Sequence, residues 1–392
     1  MNKIIGIICL TLFGSALLFS YNHKLQQPKL IPLEISPQTT TSTQKPRGGI
    51  LPFPLTVPSG FHIGLFAEGL GTARDLEFTS GGTLLVSDPN ANTITALKDN
   101  DGDGQADIKR VIISGRNVVH GVAFHNGQLY VAEKNSVELY SWDESSMQAT
   151  RNKTVVTYPG STNHVNRTLV FGADNRMYIN LGSTCNVCIE KNAEEGAILV
   201  ANTDGSDLHI FAKGQRNAPF LAINPITHQL WATGMGGDYL GDNIPPDEIN
   251  IIEEGKDYGW PICYGDKIHD TSFDKKVYLS DPCRTTIPPI YQIAAHAAPL
   301  GLAFVPSTFN TSWTNDLVVA YHGSWNRSIP IGYKVVLMRV KGESIGGEED
   351  LVTGFLKDSV TRGRPVDVIF DKNGNLYISD DKSGNIYIVS YN

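Results

Sequence analysis

The side chains best equipped for chemistry stand just ahead of apolar runs. His164 opens the stretch His164-Val165-Asn166-Arg167, and an alternating run through Leu169 and Phe171 follows. An imidazole titrating near neutral pH suits proton abstraction, and a loop leading into a strand is where β scaffolds often place such a group. Arg74, His120, Arg216 and Arg364 stand in the same position ahead of other apolar runs. Guanidinium groups are planar forks that match carboxylates, so arginines gathered at one place point to an anionic ligand.

Two further stretches carry ligands for a hard cation. Asp99, Asp101, Asp103 and Asp107 fall at positions 1, 3, 5 and 9 of a calcium loop, with Gly104 at the sharp turn. The twelfth position is Arg110 rather than Glu, so the loop is not a complete EF-hand. Spaced Asp and Gly of this kind indicate a structural calcium, placed between the first and second repeats. The second stretch, after the fourth repeat, joins accessible carbonyls at Gly236 and Gly237 to the carboxylates of Asp238, Asp242, Asp247 and Glu248. Calcium and a merely solvated acidic loop explain that composition equally well.

The elements that must position these groups recur along the chain. Arg74 precedes D-L-E-F, then L-L-V-S-D; His120 precedes G-V-A-F, then L-Y-V-A-E; His164 heads the third copy. Further copies begin at Arg216, Ala298 and Arg364. Each is a lead-in residue, an apolar strand, an Asn/Gly turn, a second strand and usually a third. Units spaced roughly 45 to 55 residues apart, with longer gaps late in the chain, are the signature of a β-propeller. The expected fold is therefore all-β, a six-bladed propeller over residues 50–392. Its lead-in residues converge on one mouth of a central channel. His120 is expected to line the channel. Trp231, Trp260, Trp313 and Trp325 are expected in the core or between blades.

Composition agrees. The chain of 392 residues has 38 Gly, 21 Pro and only 18% charged residues, as a turn-rich β protein would. A formal net charge of −8 argues against a nucleic-acid partner. Lys3 precedes an apolar run from Ile4 to Phe19, which reads as an export signal over residues 1–20 or an uncleaved membrane tether. The Gln-, Thr- and Pro-rich residues 21–49 read as a disordered linker. The protein is then periplasmic or extracellular. Four cysteines lie beyond the signal, and the simplest pairing is Cys185 with Cys188 and Cys263 with Cys283. Zinc is disfavoured because Cys263 and Cys283 lack a nearby Cys-x-x-Cys partner.

In order, H-V-N-R-T-L-V-F-G with L-G-S, G-Q-R-N-A-P, and D-E-I-N with Y-G-W-P resemble the glucose/sorbosone dehydrogenase family from about residue 58 onward. The resemblance implies an exported six-bladed propeller that uses pyrroloquinoline quinone (PQQ) and calcium. It would oxidise an aldose sugar or a sorbosone-like aldehyde and pass electrons to an unidentified quinone or cytochrome. It makes His164 the catalytic base and Arg216 both a quinone contact and a polarising group. Asn217 is a further quinone contact, Arg362 and Arg364 hold PQQ carboxylates, and Arg74 adds a polar group from the first blade. Gly236 and Gly237 supply backbone oxygens to the PQQ-bound calcium, within the stretch that also holds Asp238, Asp247 and Glu248. Two positions depart from the glucose-oxidising branch. Ser183 replaces the Asp that orients the His, and no Lys is present in H-G-S-W-N-R, where Asn326 or Arg327 serves instead. The patterns G-S-T-C-N-V-C and W-P-I-C-Y-G are closer to the sorbosone/pyranose branch. Two other readings stand beside this one: a calcium-dependent lactonase without quinone, and a non-catalytic propeller that binds glycans or proteins.

Overall fold

Each sequence repeat forms one blade of a six-bladed β-propeller, in a computed structural model that describes residues 47–160 and 162–391. The expected export segment and residues 21–46 of the linker lie outside the described residues. Residues 47–49 lie against the propeller: Gly49 bridges Leu65, and the Gly48 N–H donates to Asp103 O at 2.9 Å. None of the helices among the described residues is long and apolar enough to cross a membrane.

Every blade is a four-stranded antiparallel sheet. The innermost strands are Leu76–Phe78, Val122–His125, Leu169–Phe171, Leu221–Ile223, Pro299–Phe304 and Pro365–Phe370. The second strands read L-L-V-S-D, L-W-A-T-G and L-V-V-A-Y without alternation, because neighbouring blades cover both faces. The outer strand Gln148–Thr157 is mostly exposed and polar, which keeps that edge from pairing with another chain. Outer strands of this kind carry too little apolar pattern to be read from sequence.

Closure comes from the N-terminal side. Phe61–Ala67 is the outer strand of the sixth blade and pairs antiparallel with Asn385–Tyr391, Phe61 opposite Tyr391. Two loops sit differently from expectation. Asp99–Asp107 lies inside blade one, between Thr93–Lys98 and Ile108–Ile113, and the 234–250 stretch lies inside blade four, between Leu230–Gly234 and Asp247–Ile252. The strand pattern blurs at both places because polar insertions interrupt it.

The innermost strands line the axis, and buried acids join them. Asp75 Oδ2 accepts the Val122 N–H at 2.7 Å, and Glu77 Oε1 accepts the Phe124 N–H at 3.1 Å. Asp367 Oδ2 accepts the Leu76 N–H, and Asp247 Oδ2 the Ala298 N–H, each at 2.8 Å. Each carboxylate thereby satisfies a neighbouring blade's strand edge. Below them the channel opens into a cavity of about 550 Å³ lined by Glu77, Phe124, His125, Phe171 and Phe304.

Burial pushes the Glu77 carboxyl up to about 8, against the Phe124 N–H that favours its charged form. A raised folded-state value means stability present below the unfolded value near 4.5 and lost as pH rises through 8. Glu77→Gln keeps an acceptor for Phe124 without the titration. Urea unfolding between pH 5 and 9 is expected to show a shallower alkaline loss for the variant than for the natural chain.

Candidate active site

At the opposite end of the axis, residues from all six blades connect into a ring. Arg74 Nε donates to His120 Nε2 at 3.3 Å, and the His120 Nδ1–H donates to Arg167 O at 3.0 Å. Arg167, fully buried, donates through Nη1 to His164 O at 2.6 Å. The Ser183 N–H donates to Arg216 O, which carries the ring into blade four. Arg216 pairs with Asp238 at 2.7 Å, and Asp238 accepts Asn326 Nδ2 at 3.0 Å. Arg364 Nη1 reaches His322 Nδ1 at 3.2 Å in blade five. His322 and Arg74 share the two oxygens of Asp381, at 2.9 and 2.7 Å. The convergence expected of the lead-in residues is therefore present.

His164 is held in one tautomer. Its Nδ1 lies 3.1 Å from Ser183 O and 3.0 Å from Ser183 Oγ. A carbonyl oxygen only accepts, so Nδ1 carries the proton and Nε2 the lone pair. Ser183 Oγ donates to Cys185 O at 2.7 Å. Gly182 is required here, because a Cβ at that position would lie 2.4 Å from His164 Cβ. Burial, followed by the nearby Arg216 charge, lowers the His164 imidazole to about 3. A neutral, proton-accepting imidazole is thus maintained across the physiological range.

Arg216 is clamped. Nε donates to Asn186 O and Nη2 to Asn186 Oδ1, both at 2.9 Å. Asn217 donates through Nδ2 to Met235 Sδ at 3.4 Å. Arg364 binds only uncharged groups: His322 Nδ1, Gly323 O and the Tyr333 hydroxyl, with its guanidinium 5.0 Å over the Tyr333 ring. No described carboxylate pairs with Arg364 or Arg362, whereas Arg74 and Arg216 each have one. Among the described residues the ring guanidiniums of Arg364 and the fully buried Arg167 are therefore left without a carboxylate partner, and the more accessible Arg364 suits a ligand bearing a carboxylate.

The cation ligands sort into two groups. Asp238 is taken by Arg216 and Asn326. Asp247 accepts the Gly236 and Ala298 N–H groups, and burial raises its carboxyl to about 7. Glu248 accepts from Asn250 Nδ2 and the Gly265 N–H. These three carboxylates serve as internal acceptors. The Gly236 and Gly237 carbonyls accept from no described residue. A Cβ at Gly236 would lie 2.7 Å from Pro245 Cγ, so close packing demands glycine there. In the blade-one loop, Asp99, Asp101 and Asp107 bring one oxygen each within 4.8 Å of one another. Asp103 caps Gln105 instead. The cysteines pair as 185–188 and 263–283.

Asn326 meets Asp238 and His296, while Arg327 pins Asp242 O and Ala295 O. The polar group that closes the ring at the end of blade five's second strand is His322, which sequence reasoning missed along with Asp381 and Asn186. His322 follows directly on L-V-V-A-Y, the position Asp381 takes after L-Y-I-S-D in blade six, and that was the available signal. Trp325 is not in the core: it is 59% exposed and meets Tyr239 edge-on at 5.5 Å. The H-G-S-W-N-R loop turns outward after Tyr321, which carries the indole away from the blade.

Comparison with known proteins gives the class. The sequence matches the TrAA12-like family across residues 55–392, and the chain belongs to that family. It is 38% identical over 224 residues to an uncharacterized protein of Borreliella burgdorferi, covering 56% of this chain and 58% of that one. It is 25% identical to a pyrroloquinoline quinone-dependent sugar dehydrogenase of Hypocrea jecorina, covering 84% of this chain and 88% of that one. The fold is similar to the PQQ domain of pyranose dehydrogenase from Coprinopsis cinerea, with a TM-score of 0.75 at 22% identity, covering 87% of this chain and 98% of that domain. The chain spans little over half the length of some curated relatives, 58% and 54% in two cases.

The His164 imidazole sets an acid limit on stability. Its folded value lies below the unfolded one near 6.5, so its contribution is complete above 6.5 and lost as pH falls toward 3. Chemical unfolding from pH 7 to 4 is expected to show a steeper loss in the natural chain than in His164→Gln; equal slopes would contradict a buried neutral imidazole.

Proposed function

We propose that the chain is a PQQ- and calcium-dependent oxidoreductase acting on an aldose sugar or a sorbosone-like aldehyde. The observation that carries this reading is Arg364, a cation with no carboxylate partner among the described residues, on the same ring as a neutral His164 whose Nε2 lone pair meets no described donor. Similarity to sugar dehydrogenases that depend on PQQ supports it.

When bound, PQQ would accept hydride, with calcium as a Lewis acid at its oxygens. Arg362 and Arg364 would hold its carboxylates, with Asn217 and Arg74 as further polar contacts. The Gly236 and Gly237 carbonyls are the unclaimed oxygens for calcium. Arg216, its direction fixed by Asn186 and Asp238, would place positive charge where anionic character develops. His164 Nε2 would take the hydroxyl proton as the C–H bond breaks. Burial beside Arg216 makes it a weak base, so the proton transfer depends on close placement rather than on high basicity. The role of the missing Lys falls to Asn326, whose Oδ1 meets no described partner, rather than to His322, both of whose ring nitrogens are taken by Arg364 and Asp381.

We also propose a structural calcium at Asp99, Asp101 and Asp107, and an exported protein whose electrons pass to a quinone or cytochrome. Both disulfides agree with an oxidising compartment. Whether residues 1–20 are cleaved or form a tether is a separate part of this proposal.

Dye reduction by the purified protein, supplied with calcium and PQQ and a panel of aldoses and aldehydes, tests the reaction. Turnover is expected only with PQQ, and His164→Ala is expected to lower kcat by about 100-fold or more. If PQQ fails to bind with calcium present, the quinone reading is lost and lactone hydrolysis becomes the next assay. For the loop, calcium is expected to raise the thermal midpoint of the natural chain and not of an Asp99→Asn/Asp101→Asn variant.

A further inference from the structure

One short loop touches both groups assigned to the chemistry. The Cys185–Cys188 disulfide closes it, and both cysteines are partly exposed. At its base, Ser183 receives His164 Nδ1 and donates to Cys185 O. At its tip, Asn186 uses every polar atom it presents toward blade four. Its backbone oxygen accepts Arg216 Nε at 2.9 Å and Trp260 Nε1 at 3.3 Å. Oδ1 accepts Arg216 Nη2 at 2.9 Å and the Asp238 N–H at 2.8 Å, and Nδ2 donates to Asp238 O at 3.1 Å. Apart from Asn186 and Asp238, no described residue hydrogen-bonds the Arg216 guanidinium, and the Asp238 backbone is itself held by Asn186.

We propose that Cys185–Cys188 is a redox lock on the site: its formation fixes Asn186, the positioning residue for Arg216 and Asp238, and its reduction by a dithiol frees them. The functional consequence rests on the quinone reading above; the lock itself does not. On reduction, the external dithiol loses two electrons and two protons and becomes a disulfide. The Sγ–Sγ bond breaks, and Cys185 and Cys188 each gain one electron and one proton. The fold supports selectivity, because Cys263 and Cys283 are buried at 4% and 0% exposure, whereas the first pair is partly exposed. Cross-linking restrains a solvent-facing loop that hydrogen bonds alone hold weakly. A competing restraint exists: Glu190 accepts from Thr184 N and Oγ1 at 2.7 and 2.6 Å, tying the flank of the same loop.

The test uses the purified full chain, treated with a dithiol until alkylation and mass spectrometry report Cys185 and Cys188 as the only free thiols besides Cys9. Asn186→Ala, which keeps the disulfide, and Cys185→Ser/Cys188→Ser are measured beside it. Exchange with water of the Arg216 Nη2 protons, whose acceptors include the Asn186 side-chain Oδ1, followed by NMR, reads the clamp without any cofactor. PQQ titration in calcium reads its consequence. Exchange about tenfold faster and a PQQ Kd about tenfold higher are expected in all three, the size of losing one or two hydrogen bonds. Exchange unchanged in the reduced protein would mean that Glu190 suffices and the lock is wrong. If reduction unfolds the chain, Asn186→Ala decides: unchanged exchange in that variant overturns the positioning role. Failure of the natural chain to bind PQQ would remove the cofactor reading alone, since the exchange rates still decide the lock.

Discussion

The whole architecture depends on satisfying the backbone at the propeller axis. An innermost strand has a partner on one side only, so its inward N–H groups face a narrow channel with little water. Asp75, Glu77, Asp367 and Asp247 resolve this by accepting N–H groups of adjacent blades. Each is deeply buried, and burial raises the carboxyl of each. Burial outweighs the one or two neutral N–H donors that each carboxyl meets, which is why the axis is acidic without being strongly charged. The same bonds set how closely neighbouring blades approach, and thereby where the residues at the strand heads fall.

The ring at the other end follows a different electrostatic rule. Its arginines differ in compensation: Arg74 and Arg216 have carboxylates, whereas the side chains of Arg364 and the fully buried Arg167 have only neutral partners. Burial alone would raise the Asp381 carboxyl, but His322 and Arg74 outweigh it and bring it down to about 2. Asp381 therefore keeps its charge, and His120 and His322 stay neutral because burial lowers both. A protein of net charge −8 thus concentrates positive charge at one mouth. Long-range attraction of an anion would be weak in such a molecule, and short-range fit must do most of the selection.

Much of this was legible in the sequence because the blades repeat. His164, Arg74, Arg216 and Arg364 each precede an apolar run, and one shared position in the repeat places them all on one mouth. What stayed hidden arises from contacts between blades. Asn186 looks like an ordinary loop residue until the disulfide loop of blade three meets Asp238 of blade four. Asp247 and Glu248 read as metal ligands because an acidic pair in a Gly- and Pro-rich stretch usually faces solvent. Their burial turns them into acceptors for backbone N–H groups, and no spacing rule reveals burial. His322 does not stand out in H-G-S-W-N-R, where the exposed Trp325 and the half-buried Asn326 and Arg327 are more conspicuous, although Arg327 only anchors a loop.

Ring closure by Phe61–Ala67 has a consequence for the life of the chain. The strand that completes the sixth blade is made first, and its partner Asn385–Tyr391 comes almost a full propeller later. Contacts of such long separation form late in folding. Arg74 and Asp381, which meet across that seam, cannot pair until it closes. A ribosome-bound or partly threaded chain would therefore hold most of its blades and none of its assembled mouth. The assembled mouth would then appear as a single late event, after synthesis, rather than growing with the chain.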